Sequence, residues 1–172
     1  MAKIGLFYGS TTGNTEQDAQ LIQKEFDKHQ PGLVDLFNVA SDPLSKMNDY
    51  SLLIWGCSTW GGGDMQDDWD SAWKTLKTLN LAGKKVALFG LGDSVGYSDS
   101  FQDALGQLAE TARKQGAELV GLWPTDDYSF DASAAVEGDM FVGLALDDDN
   151  EAGKTPQRVA AWVQQLITEF GL

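Results

Sequence analysis

Seven consecutive positions, Gly9-Ser10-Thr11-Thr12-Gly13-Asn14-Thr15, concentrate hydroxyls, one amide and two glycines. They follow an apolar run, Ile4-Gly5-Leu6-Phe7-Tyr8, that reads as a buried strand. They lead into Glu16–His29, where Ala19, Ile22 and Phe26 recur at helical spacing. Strand, glycine-rich turn and helix in that order aim backbone N–H groups at one spot, with the positive end of the helix dipole behind them. The hydroxyls of Ser10, Thr11, Thr12 and Thr15 and the amide of Asn14 add neutral donors. A donor set of this kind fits a phosphate.

What the stretch lacks narrows the ligand. A Walker A loop needs G-x-x-x-x-G-K-[ST], whose lysine reaches the outer phosphates. Here only three residues separate Gly9 from Gly13, and Asn14 follows the second glycine. No basic residue lies between Lys3 and Lys24, so nothing local neutralises a triphosphate. The dinucleotide fingerprint G-x-G-x-x-G is absent as well. A single phosphomonoester held by dipoles and hydroxyls remains. The plain alternative is a hydroxyl-rich helix cap with no ligand.

The elements that would position this turn alternate along the chain. Leu33–Val39, Tyr50–Trp55, Lys85–Phe89 and Glu118–Trp123 read as strands, and Asp67–Leu79 and Phe101–Gln115 as helices. A last helix opens with Thr155 as N-cap and Pro156 at the first helical position. It buries Val159, Trp162, Val163, Leu166 and Phe170. Strict alternation with short connections predicts an α/β fold: one doubly wound domain over residues 1–172, a mostly parallel sheet with helices on both faces. One long polar segment, Pro124–Met140, breaks the pattern between Glu118–Trp123 and Phe141–Asp147.

The chain has 172 residues, 42% of them hydrophobic, enough for a real core. Its formal net charge of −14 argues against nucleic acid and anionic membranes and favours partners with basic docking faces. The N-terminus reads without a signal peptide, and no run approaches a membrane span. A single cysteine, Cys57, rules out an internal disulfide and suits a reducing cytoplasm. A single histidine, His29, leaves little scope for histidine catalysis or metal ligation.

In an open α/β sheet, ligands bind beyond the carboxyl ends of the strands, where strand order reverses. Two further loops leave carboxyl ends there, Gly56–Asp64 with Trp60 and Gly90–Ser100 with Tyr97. An aromatic on each of two glycine-rich loops, beside a phosphate turn, points to a flat phosphorylated ligand.

These motifs together resemble the flavodoxin family, specifically its long-chain kind, over essentially all 172 residues. Ser10-Thr11-Thr12-Gly13-Asn14-Thr15 is similar to the family's FMN phosphate loop. Gly56-Cys57-Ser58-Thr59-Trp60-Gly61 and Gly90-Leu91-Gly92-Asp93-Ser94-Val95-Gly96-Tyr97 are similar to its two isoalloxazine loops. Phe141–Asp147 and the C-terminal helix also match, and 124–140 would be the long-chain insertion that splits the fifth strand. The resemblance implies a five-stranded parallel sheet in order 2-1-3-4-5, an order of which flavodoxin is itself a standard example with FMN at the switch point. It implies a low-potential one-electron carrier, not an enzyme, cycling FMN between semiquinone and hydroquinone. Trp60 would cover one ring face and Tyr97 stack on the other, with Ser58, Thr59, Gly61, Gly62, Leu91 and Gly92 around the ring. Asp93 would meet the pyrimidine edge and Asp149 the ribityl chain. Gly61, with Gly62 behind it, is the glycine whose peptide would turn toward N5. Where many long-chain members carry bulkier residues after the tryptophan, Trp60-Gly61 looks like the short-chain kind. The implied partners are a flavodoxin/ferredoxin reductase or photosystem as donor and an acceptor enzyme, served by a cytoplasmic monomer.

An FMN-dependent quinone or nitro reductase on the same fold is the competing expectation. It needs a hydride-donor site, and no second nucleotide fingerprint is present in the chain. A receiver-type signalling domain shares the strand order but wants an acidic cluster after the first strand, where this chain has hydroxyls and glycines.

Overall fold

The computed structural model describes residues 2–172. Its elements run β1 (Ile4–Tyr8), α1 (Asn14–His29), β2 (Val34–Asn38), β3 (Leu52–Trp60), β4 (Asp64–Met65), α2 (Asp67–Leu76), β5 (Lys85–Leu91) and α3 (Asp103–Lys114). There follow β6 (Glu118–Val120), β7 (Trp123–Pro124), β8 (Val136–Glu137), β9 (Met140–Phe141), β10 (Leu144–Leu146) and α4 (Thr155–Glu169). The main sheet is parallel in order β2-β1-β3-β5, and beyond β5 lie both β6 and β10. β6 pairs with Lys85–Ala87 and β10 with Phe89–Leu91, so the fifth place in the sheet is shared by two short strands laid end to end. The chain leaves β1 toward β2 on one side and returns to β3 on the other, so the order reverses between β1 and β3.

Period-two alternation sorts the strands' side chains into two layers. Phe7, Leu53, Trp55, Val86 and Leu88 face α2 and α3, meeting Trp69, Leu105 and Leu108. Leu6, Ile54, Ala87, Phe89 and Leu146 face α1 and α4, meeting Ile22, Phe26, Val159 and Trp162. The indole of Trp162 is buried and donates to the Gly121 carbonyl at 2.9 Å. Truncating a side chain of this size in a core costs about 3–5 kcal/mol.

Several expectations need correction, among them Glu118–Trp123, whose strand stops at Val120 while Trp123 pairs in a separate antiparallel sheet. β3 does not end at Trp55 but runs through Gly56–Trp60, and Gly61–Gly63 turn it back onto β4, pairing Trp60 with Asp64 and Thr59 with Met65. Gly61 (φ +50) and Gly63 (φ +113) supply the left-handed residues of that hairpin turn. β5 likewise continues two residues past Phe89 to Leu91. Thr155 is not the N-cap of α4. It already has helical torsions, Lys154 caps, and the Thr155 hydroxyl donates sideways to Asp148 at 2.5 Å.

The polar segment folds into a three-stranded antiparallel patch, β7-β9-β8. Its aromatics pack back on the body: Phe130 lies tilted 5.5 Å from Phe101, and Tyr128 meets Phe141 edge-on at 5.0 Å. Arg158 of α4, only 5% exposed, lies over the Tyr128 ring at 4.1 Å and pairs with Asp127 and Glu151.

Candidate functional site

Three loops leave the carboxyl edge of β1, β3 and β5 and enclose a cavity of about 300 Å³, at the lower end of the usual range for small-molecule sites. It sits at the point where strand order reverses.

The first wall is the turn before α1. Thr11, Thr12, Asn14 and Thr15 line the cavity; Ser10 and Gly13 do not. Ser10 Oγ instead accepts the amides of Gly13 (3.1 Å) and Glu16 (3.4 Å), so this hydroxyl shapes the turn. Gly13 takes φ +94 as the residue capping α1, a conformation that favours glycine. The first-turn amides of Asn14 and Thr15 have no carbonyl four residues back with which to pair. They and the threonine hydroxyls remain as donors.

The second wall is the β3–β4 hairpin. Ser58, Thr59, Trp60 and Gly61 line the cavity, whereas Gly62 sits at the hairpin tip outside it. Trp60 is 41% exposed, an unusual position for a large aromatic. Thr59 Oγ1 accepts the Ala104 amide at 3.0 Å, tying the hairpin to α3. The Gly61 carbonyl accepts the Ser100 hydroxyl at 3.3 Å, tying it to the third loop.

The third wall is Leu91, Gly92, Asp93 and Tyr97, the last 48% exposed. Asp93 Oδ1 accepts the amides of Val95 (3.1 Å) and Gly96 (2.7 Å) and the Asn150 side chain (2.8 Å), so the carboxylate folds its own loop. Those bonds, the Gly96 amide foremost and then Asn150, hold Asp93 below the usual carboxylate range. From outside, Asp131 and Ala132 of the polar segment donate to the Ser98 carbonyl at 2.8 and 3.0 Å, bracing the backbone next to Tyr97.

Asp148 and Asp149 complete the cavity. Burial, and then the charges of Asp93, Asp147 and Asp148, push Asp149 up. Asp148 was not foreseen. The run Asp147-Asp148-Asp149 was its signal, but the turn after β10 decides which members face the cavity. Behind Asp148 lies Asp18 of α1, 5% exposed and with Oδ2 unpartnered, whose carboxyl is pushed well above the usual range by burial and then by Asp148. Asp147 is fully buried and accepts from the Ser94 hydroxyl, the Ser94 amide (3.1 Å) and the Asn150 amide (3.0 Å). Cys57, one strand residue below Ser58, is buried, and burial lifts its thiol to about 12, which leaves it inert.

The cavity therefore offers hydroxyl and amide donors at one end, two exposed aromatics at the other, and no lysine or arginine in its lining. That chemistry suits a phosphomonoester joined to a flat ring. Among the described residues, no group of three or more histidine, cysteine, aspartate or glutamate side chains is placed to hold a metal ion.

Comparison with known proteins shows the family. A family model described as Flavodoxin matches residues 6–162. The chain is 49% identical over 172 residues to the flavodoxin of Synechococcus elongatus, covering 100% of both. It is 44% identical over 169 residues to flavodoxin 2 of Escherichia coli, covering 97% of this chain and 96% of that one. In three dimensions it is similar to the crystal structure of Fusobacterium nucleatum flavodoxin bound to flavin mononucleotide. The TM-score is 0.91 at 29% identity, with 98% of this chain and 99% of that one covered.

Proposed function

The chain belongs to the flavodoxin family, and from that premise we propose how its residues hold FMN and present it to redox partners. The protein is an FMN-dependent electron carrier rather than an enzyme. The observation that carries the residue assignment is the uncharged donor set at one end of a cavity whose other end is walled by Trp60 and Tyr97. Thr11, Thr12, Asn14 and Thr15 would hold the phosphate, with Ser10 and Gly13 shaping the turn beneath them. Ser58, Thr59, Trp60, Gly61, Leu91, Gly92, Asp93 and Tyr97 would hold the ring, and Asp149 the sugar chain. When bound, the flavin supplies the one-electron chemistry.

The chain's own residues supply position and field. Trp60 and Tyr97 cover apolar ring surface and exclude water from it, and their exposed edges leave a short path to a partner. No cation in the lining offsets negative charge, and Asp93, Asp148 and Asp149 add more, so an electron held here is easily given up.

Asp64 of the hairpin and Asp67 at the start of α2 are exposed. They suit reductase-type donors and acceptor enzymes whose docking faces are basic, with the chain acting as a monomer in the cytoplasm. The chain reads as one domain, with 124–140 as an insertion. The reading is supported by β6 and β10, which pair with successive halves of β5 on either side of that segment.

The test is direct. Heat-released flavin from the purified protein should be FMN at one per chain. With a flavoprotein reductase and NADPH, the protein should pass electrons to a haem acceptor while oxidising no NAD(P)H by itself. Steady NADPH oxidation without the reductase would favour a quinone or nitro reductase instead.

A further inference from the structure

Gln66 precedes α2, 55 residues from the phosphate turn in sequence, yet its side chain is 0% exposed and touches that turn. Its Oε1 accepts the amides of Asp68 (3.1 Å) and Trp69 (3.3 Å), capping α2. Its Nε2 donates to Thr11 Oγ1 (3.1 Å) and to Asp68 Oδ2 (2.8 Å). All four hydrogen-bonding capacities of the carboxamide are used. The partners also fix its orientation, because flipping the group would set an NH₂ against two backbone N–H groups.

The consequence falls on Thr11. A hydroxyl has one proton to give. Since Thr11 Oγ1 accepts from Gln66, that proton is free to point elsewhere, and Thr11 lines the cavity. A phosphate dianion can only accept, so a hydroxyl locked as donor is what it requires. The backbone amide of Gln66 meanwhile donates to the Ser58 carbonyl at 3.2 Å, so the same residue ties the phosphate turn to the aromatic hairpin. Gly9 makes the approach possible: a Cβ there would collide with Gln66 Oε1.

We propose that Gln66 is a positioning residue for phosphate recognition, its buried carboxamide orienting the Thr11 hydroxyl as a donor into the cofactor cavity. The inference rests on the FMN reading above. Asp68 strengthens the arrangement, because its carboxylate accepts the second Nε2 proton and keeps the amide turned toward Thr11. The residue acts through Thr11 and touches no part of the ring site with its side chain. Its effect therefore belongs to the phosphate and not to the isoalloxazine.

The experiment compares dissociation constants of FMN and riboflavin, which lacks the phosphate, by quenching of flavin fluorescence. Gln66→Met keeps the bulk and loses the donor. It should weaken FMN about tenfold while riboflavin stays within about threefold. Gln66→Glu keeps the helix cap but turns a donor into an acceptor with negative charge. Its FMN loss should be larger and be regained in part as pH falls and the carboxyl takes up a proton. In a Thr11→Val background, Gln66→Met should cost no further preference for FMN over riboflavin. Should Gln66→Met fail to fold, Gln66→Glu decides. An unchanged FMN-to-riboflavin ratio in a folded Gln66 variant overturns the proposal, as does the same loss in the Thr11→Val background. Equal affinity of the unsubstituted protein for the two flavins overturns instead the FMN reading beneath it.

Discussion

The Ser58 hydroxyl accepts the indole N–H of Trp60 at 2.8 Å. Trp60 stands at the edge of the hairpin with little packing to hold it, so this bond sets the plane of the ring that walls the cavity. Ser58→Ala should release the indole and weaken FMN and riboflavin alike, by roughly two- to tenfold, the worth of one ordinary hydrogen bond. Flavin titrations of the variant check this. A loss confined to FMN would show that Ser58 serves the phosphate end instead.

Thr12 and Thr15 line the opposite end of the cavity. Thr12→Ala or Thr15→Ala should weaken FMN about tenfold or more, since hydrogen bonds to charged groups contribute about 1.5–3 kcal/mol, and should spare riboflavin. Calorimetric titration of the apoprotein with each flavin separates the two. Parallel losses for both would place the phosphate elsewhere.

Asp18 should give the apoprotein a pH-dependent stability. Its folded-state value lies above the unfolded one because of burial and then Asp148. A carboxyl shifted upward adds its full stability below the unfolded value and loses it as pH rises through the folded value. Stability should therefore decline from about pH 4 upward through neutrality on account of this group. Asp18→Asn removes the titrating proton. It should raise Tm at pH 8 by roughly 2–8 °C, equivalent to about 1–2 kcal/mol, with no gain at pH 4. Thermal melts across pH decide it, and a gain that is the same at every pH would mean packing rather than ionisation.

Asp64 and Asp67 are exposed beside the hairpin, whereas Asp68 is engaged by Gln66. The pair Asp64→Asn/Asp67→Asn should slow association with a basic redox partner several-fold at low salt. The difference should fade toward roughly 0.5 M, where screening acts within a few ångströms. Stopped-flow rates against ionic strength measure this. Equal slopes for parent and variant would remove these two residues from the docking face.

Much of this was legible in the chain because it is local. An apolar run, a hydroxyl turn and a 3.6-residue stripe lie side by side in 4–29, and the structure returns them as β1, one wall of the cavity and α1. The continuation of β3 to Trp60 was not legible, because Gly56-Cys57-Ser58-Thr59 is short of apolar bulk. Gly56–Ser58 pair with β5, where Phe89 fills the space above Gly56, and Thr59 and Trp60 pair with β4. The antiparallel patch in 123–141 uses strands of two residues, too short for any period to show. Gln66 escaped for a different reason. A buried polar side chain is defined by partners distant in sequence, and nothing around it announces them. Gln102, the one non-glycine residue with positive φ among the described residues, is likewise explained only by Leu146, whose carbonyl its amide reaches at 2.9 Å.

The sharing of the fifth place in the sheet by β6 and β10 also bears on how the molecule behaves in a crowded solution. An open sheet ends in a row of unpaired N–H and C=O groups, which is a template for a neighbouring chain to extend. Here that rim is never more than three residues long before it breaks. At the break Gly121 adopts φ +76, and its amide and carbonyl are taken by Glu169 and Trp162. The opposite rim, β2, is five residues long and carries Asp35 and Asn38, one charged and one polar. Neither border offers the long apolar ladder that intermolecular stacking needs, so the sheet is shielded against self-association along both margins.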